Sequence, residues 1–310
     1  MSDIDHPSDT IFPPELEYVI FKLAAGQDRG SIPRLMLVAW RVKEWIEPLM
    51  YQPLLFESQI TRDNNLGPVF PFERLPQLSP NVAAGVKSSI FPAASVLAIL
   101  DKLPSLENVF LSVAEKLYTD SEPGEPLPAA FTRLPFRHLY CALGDLLFLP
   151  ALDSLEYHCF AGLTHFELFS EPTRWGVDTS PWPANRNSWA LIAALPSLTH
   201  FALNNVYPAS LIGFLLSACT RLTCLVLLSV AARGGRYPPA VAHDPRFVVM
   251  RPSFVVGYLR DWVSGAEGGP DYWARADAFI AERRARQRTG GEDDTFIYPG
   301  EPESDTSDSE

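Results

Sequence analysis

The sequence lacks most of the signatures by which enzymes and metal proteins are recognised. It holds no Gly-x-Ser-x-Gly turn, no glycine-rich loop ending in Lys-Ser or Lys-Thr, no His-Glu-x-x-His and no Cys-x-x-Cys pair. Gly234-Gly235 and Gly268-Gly269 read as turn glycines, with no phosphate-binding lysine attached. His158 precedes Cys159, but adjacency along the chain does not make a catalytic dyad, and buried cysteine is the ordinary state. The expectation is a protein that is not an enzyme and needs no cofactor.

Cysteine is scarce as well. Cys141, Cys159, Cys219 and Cys224 sit inside apolar stretches, which suits buried thiols in a reducing compartment, cytoplasmic or nuclear. Met1 to Thr10 is acidic and polar, without the basic and apolar run of a secretory signal. Leu211 to Ala232 is interrupted by Arg221 and changes from helical to strand-like patterning midway, so it reads as core and not as a membrane span. A basic excess is also missing. The formal charge is -12, and the stretch after Gly291 contributes eight acids and no base, leaving a body only mildly acidic. Such a chain has little with which to neutralise phosphates or an anionic bilayer, so neither nucleic acid nor membrane is an expected partner.

What is present is apolar and finely divided. At 47% hydrophobic and 20% charged, 310 residues suffice for one sizeable core and a small satellite module. The 29 prolines, about twice the ordinary share of roughly 5%, fall mostly between apolar runs and cut the chain into short elements. After Pro13-Pro14, Leu16, Val19, Ile20 and Leu23 have the spacing of an amphipathic helix that Gly26 ends. Ser31-Ile32-Pro33 opens a second periodic run through Leu35, Val38, Ala39, Val42, Trp45, Ile46 and Leu49. Two or three short helices are expected.

Phe12-Pro13-Pro14-Glu15-Leu16 with Ile20-Phe21-Lys22-Leu23, then Ile32-Pro33 through Leu37-Val38 to a tryptophan-containing helix, resembles the F-box of fungal F-box proteins, in particular the divergent basidiomycete members. The chain departs from that pattern at the usual Asp-Leu pair of the second helix and at Trp40-Arg41-Val42. The resemblance implies a module that docks a Skp-family adaptor and so joins a cullin-type ubiquitin ligase to a target. It implies adaptor contacts at Pro14, Leu16, Ile20, Leu23 and Trp45. Asp244-Pro245-Arg246 to Asp271-Tyr272-Trp273 resembles the ending of the same proteins.

An internal repeat follows. Leu103-x2-Leu106-x2-Val109-x-Leu111, Phe160-x2-Leu163-x2-Phe166-x-Leu168, Leu195-x2-Leu198-x2-Phe201-x-Leu203 and Cys219-x2-Leu222-x2-Leu225-x-Leu227 share one frame, which Phe136-x2-Leu139-x-Cys141 fits in part. Copies lie about 24 to 35 residues apart, the range of leucine-rich repeats. Each copy is expected to supply a short strand and a helical or irregular return. Aligning the copies stacks Asn108, His138, His165, His200 and Cys224 in one column and Phe110, Tyr140, Glu167, Ala202 and Val226 in the next. Three histidines in adjacent rungs about 4.8 Å apart have the makings of a metal or anion site. The plainer alternative is a copied repeat carrying neutral imidazoles, with a strand near Leu155 separating His138 from His165.

The sequence therefore reads as α/β: an N-terminal helical F-box-like module, a short irregular leucine-rich-repeat-like solenoid and C-terminal capping helices. Residues 1–10 are expected to be disordered, 11–56 to form the module, 57–95 a linker, 96–252 the array, 253–288 the caps, and 289–310 a disordered acidic tail. Phe247 to Met250 reads as one more strand of the array. The array's concave face, with Phe110, His138, Tyr140, His165, Glu167 and His200, is the expected contact for an unknown target protein, joined by Trp175 and Trp182 from the insertion Ser170 to Ser188. Arg275, Arg283, Arg284, Arg286 and Arg288 read as a solvated helix end, and Ser307 as an acidic-directed phosphosite.

Overall fold

The computed structural model describes residues 12–56, 69–92, 99, 102–112, 135–141, 158–169, 186–204, 207–229, 237–251, 255–288 and 296–297. Trp175, Trp182, Ser307 and most of the insertion Ser170 to Ser188 lie outside these residues.

The chain begins with α1 (Pro14–Gln27), which has proline at its first position and Glu15 and Glu17 in its first turn, where acids favour the helix dipole. Its end is set by Asp28, which turns extended and accepts a hydrogen bond from Gly30 N at 3.0 Å. The second periodic run forms two helices, α2 (Ile32–Leu35) and α3 (Trp40–Ile46), because Ala39 adopts an extended conformation between them. Ala25, Ile32, Val42 and Ile46 form a small core of their own, with Phe21, Leu35 and Trp45 packed around it.

The rest is α/β, and its described residues include nine parallel strands whose spatial order follows the chain: β1 (Leu54–Leu55), β2 (Ser88–Pro92), β3 (Asn108–Ser112), β4 (His138–Cys141), β5 (His165–Leu168), β6 (His200–Leu203), β7 (Cys224–Leu228), β8 (Phe247–Met250) and β9 (Phe296–Ile297). Parallel neighbours require a crossover, and all described crossover helices are short: α4 (Pro80–Gly85), α5 (His158–Ala161), α6 (Arg186–Ala193), α7 (Ala209–Ala218) and α8 (Pro239–Ala242). The frame positions Leu106, Val109, Leu111, Leu163, Phe166, Leu168, Leu198, Phe201, Leu203, Leu222, Leu225 and Leu227 are all buried in one core on the crossover side of the sheet.

Three boundaries differ from those expected. The sheet starts well before residue 96, since β1 lies in the stretch assigned to the N-terminal module and β2 in the stretch assigned to a linker. Both are easily missed, because β1 is two residues long and β2 opens with buried serines. Ser89 Oγ donates to Leu54 O at 2.8 Å, and Ser88 Oγ accepts from Asn108 Nδ2 at 3.0 Å, so those polar groups are satisfied inside the sheet. No strand separates His138 from His165, because β4 pairs directly with β5. The acidic tail holds β9, whose Phe296 and Ile297 pair with Val249 and Met250 of β8.

The last two helices are α9 (Val255–Ala266) and α10 (Tyr272–Arg288), joined through Gly268, whose φ of 85° is a conformation that favours glycine. Asp271 Oδ1 caps α10 by accepting from Ala274 N at 2.9 Å. These helices do not cap the end of the array. They lie across the other face of the sheet, where Leu259, Trp262, Tyr272, Trp273, Ala276 and Ile280 form a second core with Ile90, Phe110, Tyr140, Ala202, Val226, Val248 and Met250. Both helices carry an apolar stripe, and this sheet face is the large apolar surface next to them. Arg283 fastens the end of α10 by donating to the carbonyls of Asp244 at 2.9 Å, Phe247 at 3.0 Å and Ala242. It is therefore a buried anchor and not part of a solvated basic face. Among the described residues, no helix is long and apolar enough to cross a membrane.

Candidate functional site

Two surfaces compete for the role of binding site: the outer side of α1 and the sheet face carrying the histidine column. Their fates are opposite.

In α1, the residues turned toward the small core are Phe21 and Ala25, while the stripe read from the sequence faces outward. Leu16 is 52% exposed, Val19 48%, Ile20 48% and Leu23 61%, and Pro14 is exposed beside them. The turn between α2 and α3 adds Leu37 at 85% and Val38, and the start of α3 adds Trp40 at 71%. Glu17 pairs with Arg41 at 2.7 Å, holding α1 against α3 and bringing the two exposed groups onto neighbouring elements. Trp45 belongs elsewhere. It packs on the small core with its ring edge-on to Tyr18, centroids 5.7 Å apart, so it supports the module and does not extend the outward stripe.

Leu37, Val38 and Trp40 lie in the F-box-like stretch but are not among the adaptor contacts it implies. Val38 shares the second periodic run with Leu35 and Val42, and the extended Ala39 between α2 and α3 takes it out of that register. Two short helices flanking a turn rotate independently, so an apolar residue in the turn need not share their buried side.

The module's other side meets the start of the sheet. Asn81 Nδ2 donates to Glu44 O at 2.9 Å, Gln52 Nε2 donates to Gly85 O, and Gly85 lies so close to Pro48 that an added Cβ would sit 2.3 Å from the proline Cβ. Glycine is required there for close approach, not for backbone conformation. Arg29 reaches Glu267 at the end of α9 at 2.7 Å, an exposed pair expected to contribute well under about 1 kcal/mol.

The sheet face has the register expected of it. Asn108, His138, His165, His200 and Cys224 are successive partners in one column, and Phe110, Tyr140, Glu167, Ala202 and Val226 in the next. It is not an open partner surface. Phe110, Tyr140 and Glu167 are buried beneath α9 and α10. Trp262 stands edge-on to Phe110 and Tyr140, with centroids 5.7 and 5.8 Å away, and Trp273 Nε1 donates to the Tyr140 hydroxyl at 3.0 Å. The apolar column that resembled an interface is an interface within the chain itself.

Among the described residues, Glu167 is the one fully buried carboxylate. The Tyr272 hydroxyl donates to its Oε2, and burial pushes its carboxyl up to about 8, outweighing the opposing pull of Tyr258, Tyr272 and Asn204. At neutral pH it is held largely in the neutral form.

The histidine column is half-buried along the flank of α10. His138 lies 4.1 Å from His165 and His165 lies 4.1 Å from His200, centroid to centroid, with Trp273 edge-on to the last two. Thr164 Oγ1 lies 2.9 Å from His165 Nδ1, and Thr199 Oγ1 lies 2.8 Å from His200 Nδ1. Each of these threonines also reaches back to the carbonyl of the preceding rung, which gives physical content to the recurrence of Leu163-Thr164-His165-Phe166 as Leu198-Thr199-His200-Phe201. Burial, then neighbouring histidines, lowers His138 to about 4 and His165 to about 2, so both imidazoles are neutral. His200 Nε2 lies 3.1 Å from the Asp277 carboxylate of α10. His165 and His200 are stacked with 9° between their planes, and His138 is tilted by 38° from His165. Among the described residues, no group of three or more His, Cys, Asp or Glu side chains is placed to hold a metal ion. The column is a packing device between sheet and helix.

Compared with known protein families, with curated proteins and with solved structures, the chain shows no match.

Proposed function

We propose that this chain is a protein–protein interaction scaffold, the substrate receptor of a Skp/cullin-type ubiquitin ligase, with the adaptor docked on the N-terminal helices. The observation that carries this reading is the outward stripe Leu16, Val19, Ile20 and Leu23 on a module that already has its own core. Had these helices served only to cap the strands, their apolar stripe would have been spent against the sheet. Instead the module closes the β1 end with Asn81, Gly85 and Pro48 and keeps its apolar side toward solvent. Leaving four such side chains exposed forgoes about 1–2 kcal/mol apiece, which a partner covering them recovers. The position of the stripe agrees with the adaptor contacts implied by the F-box-like residues Pro14, Leu16, Ile20 and Leu23.

The one-by-one stacking of parallel strands supports the leucine-rich-repeat-like reading of the remaining chain, and with it a target-binding role for the repeat region. The target would bind at the strand–crossover connections, because the sheet face is occupied by α9 and α10. The competing reading is a repeat-based binding protein with no ubiquitin connection.

Affinity purification of the full chain, with and without Leu16→Arg and Ile20→Arg, tests the proposal by probing for adaptor and cullin. Recovery of both by the unmutated chain, and of neither by the variant, is expected. Recovery of neither by the unmutated chain favours the competing reading.

A further inference from the structure

We infer that the outer edge of β8 is a self-association surface that β9 keeps closed: with β9 displaced, two copies of this chain pair β8 to β8, antiparallel.

β8 reads Phe247-Val248-Val249-Met250, and all four residues are buried. It has none of the charges, prolines or bulges that usually protect the edge of a sheet. Its protection is the strand β9, whose described residues Phe296 and Ile297 meet Val249 and Met250. A two-residue strand can hold this place because it is tethered, which gives it an effective concentration on the order of millimolar.

The opposite end of the sheet argues for a second copy seated edge to edge. β1 is followed by the bridge between Phe56 and Phe70, and the N-terminal helices stand against that end through Pro48 and Gly85. Head-to-tail stacking of copies is therefore obstructed, whereas a twofold pairing of β8 with itself uses the same edge twice and closes. An antiparallel register centred on Val249 sets Val249 opposite its own copy and Val248 opposite Met250. Val249 belongs to the first core, and Val248 and Met250 to the second, so both cores would continue across the junction. The segment after Gly291 carries eight acids and no base, and two such segments brought to one junction repel. Salt is therefore expected to favour association.

The test uses the full chain with Phe296→Pro and Ile297→Pro, which removes the two backbone donors of β9. Light scattering is expected to find the unmutated chain monomeric, and the variant dimerising at least about tenfold more tightly. A synthetic peptide of residues 291–300 is expected to return the variant to monomer, and the dimer is expected to persist when Leu16→Arg and Ile20→Arg are added. A variant that stays monomeric, with or without binding the peptide, overturns the inference. So does a dimer or aggregate that the peptide leaves unchanged, or a dimer lost with the Leu16 and Ile20 substitutions, which would place the contact on α1 instead. An unmutated chain that dimerises as tightly as the variant also overturns it.

Discussion

Trp273 on α10 donates its indole N–H to the hydroxyl of Tyr140 on β4 at 3.0 Å, joining residues 133 positions apart inside the second core. The same indole stands edge-on to His165 and His200, so one side chain meets two columns of the sheet. Trp273→Ala is expected to cost about 3–5 kcal/mol in urea unfolding. Trp273→Phe, which keeps a ring but leaves the Tyr140 hydroxyl without its donor, is expected to cost about 1–3 kcal/mol. A Trp273→Phe variant as stable as the unmutated chain would show that the hydrogen bond contributes nothing beyond ring packing.

Glu167 gives the stability a pH dependence of definite sign. Its folded carboxyl titrates near 8 and its ordinary value is 4.5, so between those values the folded chain holds a proton that the unfolded chain has lost. Stability therefore falls as pH rises through this window, by at most about 1.4 kcal/mol per unit from this group. Glu167→Gln keeps the shape and carries no titrating proton. Its melting temperature relative to the unmutated chain is expected to rise steadily from pH 5 to pH 8. A constant difference across that range would mean that Glu167 is ionised in the fold.

Arg283 is buried and donates to three backbone carbonyls at the approach to β8. Arg283→Leu removes the charge but strands those carbonyls, and is expected to cost about 3–5 kcal/mol. Hydrogen exchange should localise the loss to residues 242–247 and the end of α10. Unchanged protection there would show that the anchor is not needed.

The frame of the repeat was legible because its residues alternate with strand geometry and recur, and both the first core and the histidine register follow from that alignment. What covers the opposite face was not legible. Phe110 and Tyr140 are apolar whether they meet a partner or the chain's own Trp262 and Trp273, and composition cannot distinguish the two. The direction of α1 was hidden for a related reason: Leu16, Val19, Ile20 and Leu23 define a stripe, and a stripe alone does not say which side is solvent. β1 and β9, two residues each, are too short to show any period.

Because the stripe is outward, substitutions on it should separate binding from folding. Leu16→Arg and Ile20→Arg are expected to change stability by no more than about 0.5 kcal/mol. Ile46→Ala, in the small core, is expected to cost about 2–5 kcal/mol. Thermal melts of the three variants check this, and a large loss in the arginine variants would mean that α1 packs with its stripe inward.

The most direct measurement is a titration of the purified full chain with a purified Skp-family adaptor, repeated with the Leu16→Arg and Ile20→Arg variant. The account predicts saturable binding in the micromolar range or tighter, weakened at least about tenfold by the arginines, a loss of about 1.4 kcal/mol or more, while the melting temperature holds. Absence of binding by the unmutated chain, or binding that the arginines leave unchanged, would contradict it.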